Sequence, residues 1–296
     1  MSLPYVGELA GLATAACWMV SALAFESAGK RVGSLSLNVV RLVLGLVLLT
    51  VFAAFTRPMA LPMDATPHAW GWLTVSGLIG FVLGDYCLFR AFVEIGPRLS
   101  SLLMTSTPIW AALIGLLVLG ETMAARELGA MSLVVAGIAW AVSDRHPADD
   151  SPRPAARGIG FALLGSLGQA GGLVLSKLGM GDYDPFAATQ IRVFAGIIGF
   201  AVVCSAAGWW PRVLAALKDA QAMRATMVGA VFGPFLGVSL SLISVQQAVN
   251  AGVAATLMSV TPILLVPAVM IRGEKVGWPG ILGTVLAVVG SALFFI

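Results

Sequence analysis

The stretch Leu103-Met104-Thr105-Ser106-Thr107-Pro108 returns near the other end of the chain as Leu257-Met258-Ser259-Val260-Thr261-Pro262. Each copy sits near the middle of an apolar run of about 20 residues, the length that spans a bilayer. The two runs close on Gly120-Glu121 and Gly273-Glu274. A proline has no amide for the carbonyl four residues back, so Pro108 and Pro262 leave the carbonyls of Met104 and Met258 without their helical partner. Inside a membrane such a defect survives only against protein or a water-filled cavity. Two broken helices at matching places in two halves are the sequence mark of a carrier whose substrate site lies at mid-membrane.

Composition fixes the class. The chain is 59% hydrophobic and 10% charged with a mean hydropathy of +0.96, against roughly 25% charged residues in an ordinary soluble domain. Ten apolar runs approach the length of about 20 residues that a span requires. They lie at about 4–25, 34–55, 69–90, 99–119, 127–143, 157–178, 185–207, 225–248, 251–271 and 277–296. The expected fold is an all-α integral membrane protein of ten transmembrane helices. The longest connections hold a dozen or so residues, too few for a soluble domain.

The net charge of +3 reports orientation rather than nucleic-acid binding, since the cations are scattered between spans without a stripe or cluster. Odd-numbered connections carry Lys30, Arg31, Arg90, Arg98, Arg145, Arg153, Arg157, Arg212, Lys218, Arg224, Arg272 and Lys275, whereas even-numbered ones carry Arg57, Arg126 and Lys177. The excess of cations on the cytoplasmic side predicts outward-facing termini in a multi-pass protein of the cytoplasmic (inner) membrane. Residues 1–7 lack the cations of a signal peptide, so the first run is read as a span. Cys17, Cys87 and Cys204 all lie in apolar runs without metal-site spacing, and read as small buried hydrophobes.

The duplication extends along the chain. Gly80-Phe81-Val82-Leu83-Gly84 recurs as Gly233-Pro234-Phe235-Leu236-Gly237, and Gly137 as Gly290, both at an offset of 153 residues; Gly7, Arg41 and Gly45 match Gly158, Arg192 and Gly196 at 151. Residues 1–143 form a first repeat, 144–156 a polar linker containing Asp149-Asp150-Ser151-Pro152, and 157–296 a second repeat. Each repeat has five spans. An odd number reverses the direction of entry, so the repeats are expected to be inverted about an axis in the membrane plane.

Thr107-Pro108-Ile109-Trp110, the small and aliphatic run to Leu119-Gly120-Glu121, and the glycine-rich span through Gly129 and Gly137 resemble the end of an EamA-type repeat of the drug/metabolite transporter superfamily. The copy from Thr261-Pro262 to Gly290 resembles it equally, and Arg41 and Arg192 resemble the arginine common in the second helix of that repeat. The resemblance covers nearly the whole chain and implies secondary transport. It is closest to bacterial ten-helix exporters of amino acids and related metabolites, with drugs, nucleotide sugars and sugar phosphates as alternatives within the superfamily. Asp85 departs from the internal symmetry, since its partner in the second half is Val238.

The substrate-site candidates are the polar and aromatic groups at mid-depth: Trp18, Ser21, Tyr86, Phe89, Met104, Thr107, Pro108, Gln169, Ser239, Ser241, Met258, Thr261 and Pro262. Gln169 is the repeat mate of Trp18. Apolar walls with few polar groups suit a small molecule. Each has a plainer reading: rings packed against lipid or neighbours, methionines filling a core, threonine hydroxyls patching the proline breaks. Arg41 and Asp85 lie at similar depth and are read as a structural or gating pair, the alternative being that each reaches interfacial water. Arg192 joins them as a gating or structural charge, with neither arginine placed at the midplane. Glu8, near the outer end of span 1, is either a coupling carboxylate or an interfacial group.

An enzyme is not expected. His68 and His146 both fall in connections, Asp85 has no second acid nearby, and no glycine-rich phosphate loop occurs. A channel would want rings of charge or carbonyls around a pore. The sequence implies no metal, cofactor or nucleic acid, a small-molecule substrate within membrane lipid, and one transport path per monomer. With no uncommitted cation at mid-depth to clamp a phosphate, a neutral, aromatic-tolerant amino acid or close derivative is the expected cargo, and export the expected direction.

Overall fold

The structure, a computed structural model, describes residues 5–143, 156–261, 263–264 and 278–293, with the side chains at 92, 93, 96–99, 101, 102, 141–143, 284 and 291 set aside. Pro262, Gly273-Glu274 and all of the linker but Ala156 lie outside the described residues. Among those described, the regular structure is entirely helical. Its helices are α1 (Val6–Val32), α2 (Ser34–Thr56), α3 (Pro67–Gly77), α4 (Tyr86–Met104), α5 (Thr107–Leu119), α6 (Ala125–Ser143) and α7 (Ala156–Met180). The second half holds α8 (Pro185–Ala206), α9 (Trp210–Ala216), α10 (Ala220–Ala230), α11 (Leu236–Gln247), α12 (Ala251–Met258) and α13 (Trp278–Ala292). Among the described residues, six helical stretches are long and apolar enough to cross a bilayer: α1, α2, Pro67–Ala91, α7, α8 and Ala220–Gln247.

Helix starts follow local chemistry. Thr66, Asp184 and Asn250 accept hydrogen bonds from the amides of Ala69, Ala187 and Val253, with Pro67 and Pro185 in the first turn, where a missing amide costs nothing. Gly120 ends α5 at φ 68°, the left-handed conformation that glycine adopts without strain.

Glycine sets the register of the long contacts. The stretch from α3 into α4 runs antiparallel along α7, with Trp72 against Gly179, Gly80 against Gly172, Gly84 against Gly168, Leu88 against Gly165 and Ile95 against Gly158. Lacking a Cβ, these residues let backbones approach closely, the main source of helix adhesion where lipid is as apolar as the side chains. The repeat-related contact is α1 along α10 and α11, where Phe25 meets Gly229, Trp18 meets Gly237, and Gly11 meets Ser244. Helices α6 and α13 pack antiparallel, with Gly137 on Ala287 and Gly290 on Val134. Val134 and Ala287 are themselves repeat mates, so exchanging the two halves restores the same contact, a two-fold relation whose axis crosses the helices.

Two boundaries differ from expectation. The connection expected near 91–98 is helical, because α4 continues to Met104. Ile95 packs on Gly158 while the Thr107 hydroxyl meets Ser166, eight positions deeper along α7. The chain therefore turns back within this helical stretch, which contains Gly96-Pro97. The expected connection after α8 holds the short helix α9.

Candidate functional site

Both proline-bearing runs are broken where expected, at Thr105-Ser106 and Ser259-Val260. Threonine hydroxyls take up the freed carbonyls. Thr107 Oγ1 donates to Met104 O at 2.7 Å and Thr261 Oγ1 to Met258 O at 2.8 Å. The first break also turns hydroxyls onto α7, with Ser106 and Thr107 at 2.9 and 3.0 Å from Ser166 Oγ; in the second, Thr261 reaches Ala15 O of α1 at 3.4 Å. Pro108 and Met258 are buried and Met104 is half-buried. Thr107→Val is expected to lower stability by about 1 kcal/mol, the worth of one hydrogen bond, while Thr107→Ser keeps it. Thermal unfolding in detergent distinguishes the two variants, and equal losses would remove the patching role.

The first repeated glycine motif lies within a π-helical segment, Leu78–Asp85 between α3 and α4, and the second begins in one, Val231–Phe235 between α10 and α11. Such segments are rare, and frequent at functional sites. Each motif seats one of the repeat mates singled out in the sequence. A Cβ on Gly84 would lie 3.2 Å from Gln169 Nε2, and one on Gly237 would lie 2.8 Å from Trp18 Nε1. Gln169 donates to Gly80 O at 3.2 Å. Trp18 packs with Trp110 on a central core that includes Ala170, Leu173, Ile191, Leu242, Val245 and Met258.

Arg41 and Asp85 form a buried ion pair through Nη2 and Oδ2. Arg41 Nε donates to Asn38 Oδ1 at 2.7 Å, Gln169 Nε2 donates to Asp85 Oδ1 at 2.7 Å, and the rings of Phe25 and Phe89 flank the guanidinium at 5.4 and 5.9 Å. Phe89 is therefore engaged with Arg41. Arg192 has its backbone against Gly77 and its guanidinium beside Gly80. Gly80 is thirteen residues into its span, about 20 Å at 1.5 Å per residue, within a hydrocarbon layer about 30 Å thick.

Other candidates fall away from this cluster. Tyr86 is 41% exposed and lines a lateral apolar groove of about 420 Å³ with Leu78, Val82, Leu83 and Val203. Ser241 and Ser21 donate to their own helices, at Val238 O and Trp18 O. Ser239 donates to Thr189 Oγ1 at 3.3 Å. Glu8 is buried in the first turn of α1, where the positive end of the helix dipole suits a carboxylate.

At the face bearing the start of α1, groups that the candidate set omitted join the two halves of the chain. Glu121 Oε1 pairs with Lys177 Nζ at 2.6 Å, and Oε2 accepts from the Ala251 amide at 2.8 Å. Asn250 donates to Glu127 at 3.2 Å. Beside them Tyr183 donates to Asp64 at 2.8 Å, and Asp64 pairs with Arg57. Burial first, then the Asp64 carboxylate, pushes Tyr183 up to about 12, so it remains a donor. The sequence sign of this network is the Gly120-Glu121 that ends the first broken run. The buried indole N–H of Trp110, which makes no hydrogen bond, was also missed, although the residue lies in the Thr107-Pro108-Ile109-Trp110 motif.

Broken helices, paired π-helical segments and a buried charge cluster in a helical membrane protein are features that a transporter would have. The chain belongs to the EamA-like transporter family, whose model matches residues 5–143 and 156–296, and thus to the drug/metabolite transporter superfamily. A solved structure described as "Crystal structure of protein" is similar in fold, with a TM-score of 0.74 over 97% of this chain and 95% of that one at 16% identity. No curated protein matches the chain in sequence.

Proposed function

We propose that this protein is a secondary transporter of the cytoplasmic membrane, working by alternating access and exporting neutral, aromatic-tolerant amino acids or close derivatives. Ten passes in two membrane-inverted five-helix repeats, with both termini extracytoplasmic, complete the reading, and one monomer holds one path. The observation that carries it is the matched seating of the repeat mates Gln169 and Trp18 against the closing glycines of the two repeated motifs, Gly84 and Gly237, with Trp18 on the central core. The Trp18 indole on the core supplies an aromatic wall, and the Gln169 carboxamide, held by Gly80 O and Asp85, a neutral polar group of the kind an amino acid needs. Arg41 is committed to Asp85 and Asn38, which leaves no pair of free cations for a phosphate dianion.

Proteoliposomes are expected to take up labelled neutral amino acids saturably and to show counterflow. Trp18→Ala should raise KM for aromatic substrates about tenfold, equivalent to 1.4 kcal/mol, and affect small ones less. Saturable flux of phosphorylated sugars without amino-acid flux overturns the cargo. The orientation follows from cation placement: reporters active only outside the cytoplasm are expected to work at either terminus, and a cytoplasmic C-terminus overturns it.

A further inference from the structure

Arg192 is 4% exposed, and its Nε makes no hydrogen bond. Among the described residues the guanidinium makes no hydrogen bond or ion pair at all; it lies over the Phe81 ring at 5.1 Å. A buried cation is costly unless paired, and a guanidinium offers five donors. The acid that acts on it is Asp85, yet both oxygens of Asp85 are taken, one by Arg41 and the other by Gln169. Two buried arginines thus share one carboxylate, and the cluster is one negative charge short.

The deficit is particular to the second repeat. Arg41, the repeat mate, has Asn38 on its Nε. The residue matching Asn38 at the same offset is Thr189, whose hydroxyl donates to Pro185 O, and the neighbouring Gln190 turns its amide to Thr50 and Ala60. Nothing is left to satisfy Arg192 from its own helix. On the other side stands Gly80, where even a Cβ would come within 3.1 Å of Arg192 Nη2. The guanidinium therefore borders the π-helical segment that also carries Asp85 and receives Gln169.

We propose that the Arg192 guanidinium is the subsite that receives the carboxylate of the transported molecule. This rests on the transport reading above and deepens it by naming the group that is recognised. A planar fork of donors meets a carboxylate through two parallel hydrogen bonds, and one monoanion supplies the single missing charge, whereas a phosphate dianion would overshoot it. Gln169, which donates to Gly80 O, stands on the same segment for the rest of the ligand. Carboxylate-bearing molecules are then bound in preference to amines with the same side chain.

The test uses the purified full-length protein in detergent and three probes sharing one aromatic side chain: phenylalanine, 3-phenylpropionate and phenethylamine. Phenylalanine and 3-phenylpropionate are expected to raise the unfolding temperature, and phenethylamine to leave it unchanged. Arg192→Gln should weaken the carboxylate effect at least tenfold, with Arg192→Lys in between because it keeps charge without the fork. Carboxylate selectivity that depends on Arg192, found without amino-acid flux in proteoliposomes, supports the subsite and removes the amino-acid reading. Amino-acid flux with equal response to phenethylamine, or with undiminished binding in Arg192→Gln, overturns the subsite and leaves transport standing. Should Arg192→Gln fail to fold, the wild-type series decides alone, and absence of a carboxylate preference overturns the proposal.

Discussion

Asp85→Ala is expected to be the most destabilising single substitution in the charged cluster, with Arg41→Ala close behind and the double variant more stable than Asp85→Ala alone. Arg41 and Asp85 are each 7% exposed, so removing one partner leaves the other charged group buried without compensation. That costs about 3–5 kcal/mol, a large part of the 5–15 kcal/mol that typically separates folded from unfolded protein. Asp85 is the worse loss because it also acts on Arg192 and holds Gln169. Removing Arg41 as well takes away one of the two cations stranded by its absence. Unfolding temperatures of the four proteins in a double-mutant cycle measure the coupling, expected at about 2–3 kcal/mol for groups in direct contact. Strictly additive losses would show that Arg41 and Asp85 do not depend on each other for stability.

The duplication was legible because its marks are backbone necessities. Proline must break a helix, and glycine must stand where helices touch, so Pro108, Gly80, Gly84, Gly137 and their mates could be read from residue type alone. The similar depths of Arg41 and Asp85 could likewise be counted from span ends. Facing is harder to read. A π-helical segment inserts an extra residue into the helical repeat, so the direction of Tyr86, immediately after Leu78–Asp85, does not follow from α-helical spacing, and it faces the lateral groove. The place of the Arg192 guanidinium beside Gly80, on a neighbouring helical stretch, likewise does not follow from spacing along α8. Glu121 and Lys177 are 56 positions apart in the sequence, and nothing local to either announces the other.

That pair gives the second large effect. Glu121→Gln is expected to open the face bearing the start of α1. The carboxylate ties the turn after α5, in the first repeat, to Lys177 of α7 and to the first amide of α12, both in the second. Lys177 also reaches Ala248 O at 3.4 Å, in the turn before α12. The two side chains are 16% and 20% exposed, between a surface pair worth 0–1 kcal/mol and a buried one worth several. A contribution of about 1–3 kcal/mol to the closed arrangement follows, and losing it shifts the ratio of open to closed forms roughly 5- to 150-fold. Ala251, fully buried at this junction, is the reporter. In a background with Cys17, Cys87 and Cys204 replaced, a cysteine placed at 251 should react slowly with a bulky maleimide in detergent. Adding Glu121→Gln or Lys177→Met should speed the reaction by at least fivefold, and Glu121→Asp by less. An unchanged rate in both would mean that the pair only caps α12. Acceleration would make it a latch on the helix that leads into the second break, and a movement of α12 is a movement of Met258 at the core.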